Sequence, residues 1–404
     1  MTLPGTDHRV EVRIIYLAGL VQGLALVTFP AASAIFTSSQ GFAFSSTRYG
    51  MMFVPQVVLA IAASSLGPAW AQRWSLKRVL LLGLAGDLIS MILLALSARL
   101  ESSPELAYGL LLAATGALGF GFGATVMALN TYTEEYSAGG ADRAVLALNA
   151  LLGTGTALAP LFVAIFVALG AWWLLPVTVA VALVAVLLLV SNNPFRSESH
   201  RTGATGQSKS TGLASLPARF WLYAALVLLY GVVETLNGNW ATIYLGGKPG
   251  ISARGASLGL TAFWATVTAG RIFFSALSKR ISVRWIYIGL PMFLIVAFPL
   301  VAQVQSEIEG ILAFAFAGLA CSAFLPLSIS LGGREFAGLS TLVSGELIAF
   351  YQVGYGVAAF GVGPLRDLTG LSFSRILSLG SIAAGAMVVL AWLVIRGQNR
   401  TVLN

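Results

Sequence analysis

A chain of 404 residues that is 57% hydrophobic and only 9% charged, with a mean hydropathy of +0.87, calls for lipid as its solvent and excludes an ordinary water-soluble domain. The net charge of +8 does not build a nucleic-acid surface, because the basic residues sit in short clusters between apolar runs and read as topology signals. One cysteine, Cys321, lies inside an apolar segment, which leaves no disulfide framework and no thiol metal site.

In chain order, Met1 to Val12 are polar and mixed in charge, and no small-residue cleavage site follows the first apolar run, so no removable signal peptide is expected. Apolar runs then predict twelve membrane helices over 13–36, 47–71, 78–98, 106–131, 143–168, 171–191, 219–245, 254–279, 284–303, 310–331, 338–363 and 373–396. The one long polar gap, Asn192 to Ala218, has flexible-linker composition. The expected fold is therefore an all-α membrane protein with two six-helix bundles, 1–191 and 219–404, joined by a linker over 192–218.

Polar residues within the apolar runs are the candidates for function, because an ionised side chain near the bilayer centre costs at least roughly 2.5–3.5 kcal/mol. The first half offers Gln22, with Gln56 as a weaker candidate, then Asp87, the one acid at mid-membrane depth there, and Asn149. Asp87 reads as a coupling site or as a hydrogen-bonded structural aspartate. Gly119-Phe-Gly121-Phe-Gly123 reads as close helix packing. The seventh run, Tyr230-Gly-Val-Val-Glu-Thr-Leu-Asn-Gly-Asn-Trp-Ala-Thr-Ile-Tyr244, carries the densest set. There Glu234, Asn237, Ala241 and Tyr244 share one face of a continuous helix, with Gly231 and Gly238 leaving room beside them. Amides, a carboxylate and the rings of Trp240 and Trp264 suit a polyol, and Glu234 is also a proton carrier candidate; the alternative is a polar pair that only fixes packing. Arg271 keeps its charge and needs a partner such as Glu234 or Glu346, an anionic substrate, or the cytoplasmic interface. Gln352 and Tyr355, one turn apart, line a cavity or serve packing, and Glu346 closes a gate with Arg271.

With the N-terminus inside, sixteen of the 23 Lys and Arg fall on the cytoplasmic side and six on the other, which places both termini and the linker in the cytoplasm. The halves also echo each other. Gly67 precedes Lys77-Arg78 as Gly270 precedes Lys279-Arg280, and Gly153-x-Gly155 leading to Pro160 matches Gly354-x-Gly356 leading to Pro364. Two six-helix repeats with glycine-rich helices are how alternating-access transporters are built.

On these features the chain resembles the major facilitator superfamily over nearly its full length, and the resemblance implies that superfamily's twelve-helix fold. In the loop after the second helix, Gly67-Pro-Ala-Trp-Ala-Gln-Arg-Trp-Ser-Leu-Lys-Arg78, Ala71 stands where the superfamily has an acid. Asp142-Arg143 through Asn149 and Gly155 to Pro160, the Glu234 to Tyr244 segment, and Phe263-Trp264 to Gly270-Arg271 are similar to the fucose:proton symporter family and related sugar transporters. Those symporters carry acids in the first and fourth helices, where this chain has Gln22 and Asn130.

The expected function is proton-coupled or facilitated movement of a small polar solute, foremost a sugar, across the inner membrane, by a monomer embedded in the lipid bilayer. Substrate would meet Gln22, Asn149, Glu234, Asn237, Trp240, Trp264, Gln352 and Tyr355; Glu234 or Asp87 would take the proton; Arg271 and Glu346 would gate. The alternative is proton-driven efflux of amphipathic or drug-like compounds. No enzyme, cofactor, metal or nucleic-acid role is expected, since His8 and His200 lie in polar segments away from Cys321 and no Gly-Lys-Ser/Thr phosphate loop occurs.

Overall fold

The computed structural model describes residues 8–136, 141–195, 216–336 and 339–401, so 196–215 of the expected linker lie outside the described residues. The described residues are helical without a strand, and twelve helices are long and apolar enough to cross a membrane. They run Arg9–Thr37, Ser46–Trp74, Leu76–Leu100, Pro104–Tyr136, Ala144–Ala168, Leu174–Asn192, Phe220–Gly246, Ala253–Leu277, Val283–Ala302, Glu307–Glu335, Leu342–Thr369 and Phe373–Gly397. All twelve expected spans are present, because in lipid a helix is what satisfies every backbone N–H and C=O within one segment. Large apolar side chains such as Val58, Leu312 and Ile382 are left exposed for lipid tails to cover.

Four spans contain a break that the apolar runs do not reveal. The seventh is a helix Phe220–Gly238 followed by a short turn and a second helix Ala241–Gly246, and the tenth is interrupted at Ser322 and Ala323 between Glu307–Cys321 and Phe324–Glu335. The first and second break near Ala32 and Met52. The seventh-span break overturns the continuous face predicted for Glu234, Asn237, Ala241 and Tyr244. Glycine at 238 is a poor helix former, Trp240 leaves the helix to donate to the Ala358 carbonyl at 3.1 Å, and Tyr244 donates to the Val301 carbonyl at 2.7 Å.

The chain forms two compact units, Met1–Phe29 with Val54–Gln207 and Pro30–Phe53 with Ser208–Asn404. In the first, a Cβ on Gly23 would stand 1.9 Å from the Leu152 carbonyl oxygen and one on Gly155 would stand 2.0 Å from that of Leu20, so the first and fifth spans cross backbone to backbone. The second and fourth spans meet the same way, with Gly119 against the Gln56 backbone and Gly123 against Ala60. In the second unit the seventh and eleventh spans cross at Gly231, where an added Cβ would stand 2.4 Å from the Tyr351 carbonyl oxygen, and at Gly354, where one would stand 1.9 Å from that of Leu228. The glycine pattern that echoes between the halves is thus one kind of helix crossing made twice, once in each unit.

Other bonds close the ends of each unit. In the first, Ser75 caps the third span, and the Lys77 ammonium donates to the Ser191 and Asn193 carbonyls at the end of the sixth, each at 2.9 Å. In the second, the Pro30–Phe53 segment binds through Thr47 to Asp367, Arg366 to Ser46 and Tyr49 to the Asn239 carbonyl. Arg219 pairs with Glu335, which also accepts from Tyr223 at 2.8 Å, and this carboxylate holds the guanidinium more firmly charged than a free arginine.

The crossings give a sign-reversing prediction. Alanine in place of glycine inside an open helix is favourable by about 1 kcal/mol, whereas overpacking a tight contact costs about 1–3 kcal/mol. Gly385 has nothing within 4 Å of an added Cβ. Thermal melting in detergent is therefore expected to show Gly354→Ala with a lower Tm than the parent and Gly385→Ala with an equal or higher one.

Candidate functional site

Asp87 and Glu234 are buried carboxyl groups well inside their spans, one in each unit. Asp87 of the third span is fully buried, accepts from the Gln22 amide at 3.3 Å and from the Thr125 hydroxyl at 3.4 Å, and is not in an ion pair among the described residues. It sits there because Gly121 of the fourth span brings bare backbone against it: a Cβ at 121 would lie 2.3 Å from its carboxylate oxygen. The Gln22 carbonyl oxygen is buried without a hydrogen-bond partner.

Glu234 of the seventh span, 4% exposed, has a different setting. Tyr230, one helical turn earlier, lies 2.7 Å from one carboxyl oxygen, and the Tyr351 hydroxyl of the eleventh span donates to the other. The Gly231 and Gly354 crossing is what lets Tyr351 reach, since it brings the two backbones together one turn away. The Tyr230 oxygen is also 2.9 Å from the Cys321 carbonyl, at the break in the tenth span. Arg271 of the eighth span lies within electrostatic reach of Glu234, and its Nε donates to the Ser322 carbonyl in that break at 3.3 Å.

The structure gathers some of the expected residues and separates others. Asn237 is 1% exposed, spends its amide nitrogen on its own helix at Val233, and leaves its carbonyl oxygen unpartnered. Trp264 packs against Gly238 with its indole N–H buried and unpartnered. Trp240 is fully engaged: its N–H goes to Ala358 and its ring packs on Tyr49 and Phe373. Asn149 binds back to the Val145 carbonyl of its own helix, and Tyr355 exchanges hydrogen bonds with Asn239. Gln352 and Glu346 are half-buried on the eleventh span. Arg271 and Glu346 are not paired among the described residues; Arg271 is directed to the tenth-span break instead. No cluster of three or more His, Cys, Asp or Glu is placed to hold a metal ion among the described residues.

Tyr230, Tyr351 and Thr125 are the members of the candidate site that sequence reasoning missed. Tyr230 stands four residues before Glu234, the spacing of a helical side-chain pair, and that signal was available. Tyr351 is 117 residues away, and nothing local points to it.

The family model of the Major Facilitator Superfamily matches residues 15–345. The fosmidomycin resistance protein of Escherichia coli K12 is 24% identical over 364 residues, covering 86% of this chain and 83% of that protein. Among solved structures, the nucleoside transporter NupG aligns with a TM-score of 0.74 at 15% identity over 97% of this chain and 99% of its own. A variant of the Escherichia coli fucose:proton symporter FucP aligns with a TM-score of 0.60, again at 15% identity, over 96% and 98%.

The Asp87 cluster predicts a difference between two substitutions. Asp87→Leu strands the Gln22 amide and the Thr125 hydroxyl, each costing about 1–3 kcal/mol, while Asp87→Asn keeps an acceptor in place. Thermal melting in detergent should show the leucine variant several degrees below the asparagine variant.

Proposed function

Because this chain belongs to the Major Facilitator Superfamily, we propose that it is a proton-coupled secondary transporter of a small polar solute, working by alternating access, with Glu234 as its proton-carrying group. The carrying observation is the setting of Glu234: buried, held by tyrosine hydroxyls, and outside any ion pair among the described residues. A carboxyl group held this way can gain and lose a proton without a salt bridge having to break. Asp87, held by one amide and one hydroxyl, is the second candidate for a proton.

For the substrate, the Asn237 carbonyl oxygen is an unused acceptor and the Trp264 indole N–H an unused donor in the second unit. A hydroxyl group both donates and accepts, so this pair suits a sugar-like solute, and Gln22 adds an acceptor in the first unit. Trp240 and Asn149 are already committed to their own helices and neighbours, which makes them weaker members of the proposed set. The cytoplasmic placement of both termini, an inner-membrane location and a monomeric state belong to the same proposal and rest on the distribution of Lys and Arg and on the fold.

The second reading is proton-driven extrusion of a drug-like compound. It is favoured by the likeness, over 86% of this chain, to a protein named for fosmidomycin resistance. Uptake into proteoliposomes separates the two. Saturable entry of a labelled hexose or nucleoside, enhanced by an imposed proton gradient, is the expected result; gradient-driven extrusion of fosmidomycin without such uptake would replace the first reading with the second. In either direction Glu234→Gln should abolish gradient-driven accumulation and spare substrate counterflow. Undiminished accumulation would remove Glu234 as the carrier.

A further inference from the structure

The Tyr230 hydroxyl has more acceptors than protons. Its oxygen lies 2.7 Å from a Glu234 carboxyl oxygen and 2.9 Å from the Cys321 carbonyl oxygen. A peptide carbonyl can only accept, and a phenol has a single proton to give. When Glu234 is ionised, both neighbours are acceptors and one must go without. When Glu234 carries a proton on that oxygen, it donates to Tyr230, Tyr230 donates to Cys321, and Tyr351 donates to the other carboxyl oxygen, so every contact is satisfied.

Cys321 is no ordinary helix residue. It ends the helix Glu307–Cys321, and the two residues after it, Ser322 and Ala323, form the break in the tenth span. The eighth span presses on the same place: an added Cβ on Gly270 would lie 2.4 Å from the Ser322 hydroxyl, and Arg271 donates to the Ser322 carbonyl. Phe324, the first residue beyond the break, is stacked between the rings of Tyr230 and Tyr287 at 5.5 and 4.8 Å.

We propose that Tyr230 is a positioning residue that reports the charge state of Glu234 to the broken tenth span, by turning its hydroxyl to the Cys321 carbonyl when Glu234 is protonated and to Glu234 when it is not. One proton binds or leaves the carboxyl group, and Tyr230 keeps its own proton and only rotates it. The groups that face Glu234 are Tyr230 from its own helix, Tyr351 from the eleventh span, Arg271 from the eighth and Cys321 from the tenth. Arg271 is the charged one among them, and its tie to Ser322 places the opposing charge at the same break. The inference deepens the proton-coupled reading of Glu234 and rests on it.

Because Cys321 is the single cysteine, cysteine labelled with carbon-13 at the carbonyl carbon marks this one peptide group. Isotope-edited infrared spectra of the labelled, reconstituted protein are expected to show the Cys321 carbonyl band at lower frequency at acid pH and at higher frequency as Glu234 ionises. The band should stop responding to pH in Tyr230→Phe. In Glu234→Gln, whose amide always has a proton to give to Tyr230, it should stay at the acid position. In Tyr230→Phe gradient-driven accumulation should fall about tenfold, the scale of one hydrogen bond. A wild-type band that ignores pH, or a band that still moves in Tyr230→Phe, overturns the relay even where Glu234→Gln abolishes accumulation. A band that moves as expected while Glu234→Gln accumulates normally instead sinks the proton-carrier reading and leaves only the local switch.

Discussion

The close crossing of the seventh and eleventh spans is the contact on which the Glu234 site depends. At Gly231 and Gly354 there is no side chain to hold the helices apart, and each glycine faces the other helix's backbone. Larger residues would separate the axes by the width of a side chain, and the Tyr351 hydroxyl would then lose its reach to Glu234. The carboxyl group would be left in an apolar bundle with one donor in place of two, which is costly where no water can substitute. Two bare positions thus make a buried acid tolerable 3 residues from one of them.

The same device recurs in the first unit, where Gly23 and Gly155 cross and Gly121 lies against Asp87. The repetition explains why the fold was so legible. Long apolar runs specify spans by length alone, and glycines at matching places in two halves specify where those spans touch. What hydropathy could not reveal are the breaks. At Asn239 and Trp240, and again at Ser322 and Ala323, one helix ends and another begins within segments that are apolar enough on average to cross a membrane. Those breaks are held by distant partners: Ala358 accepts from Trp240, while Tyr230 and Arg271 reach the carbonyls of Cys321 and Ser322. A local window sees the residue that breaks but not the group that makes breaking affordable.

The site was legible in part for the same reason. Glu234, Asn237 and Trp264 stood out because polar atoms at membrane depth need an explanation, and two of the three retain an unpartnered atom that a solute could meet. Trp240 stood out equally, yet its N–H and its ring are taken up by Ala358, Tyr49 and Phe373. Composition alone does not separate an aromatic side chain that awaits a ligand from one that has found its neighbours. The pairing of Arg271 with Glu346 was plausible by charge, but the carbonyls exposed at a helix break are acceptors too, and Ser322 lies nearer to hand.

Asp87 and Glu234 are both buried acids without an ion-pair partner among the described residues, but their surroundings ask different things of a proton. Around Asp87 the Gln22 amide and the Thr125 hydroxyl both donate to it, so a change in its charge alters the strength of bonds that stay in place. Around Glu234 a second acceptor competes for the Tyr230 proton, so a change in charge decides which bond exists. The first arrangement changes an energy, whereas the second changes a connection between helices. The proposed proton-coupled cycle would have to turn the arrival of a proton into a rearrangement of spans, and of the two acids Glu234 is the one tied, through Tyr230, to a place where a span is already broken.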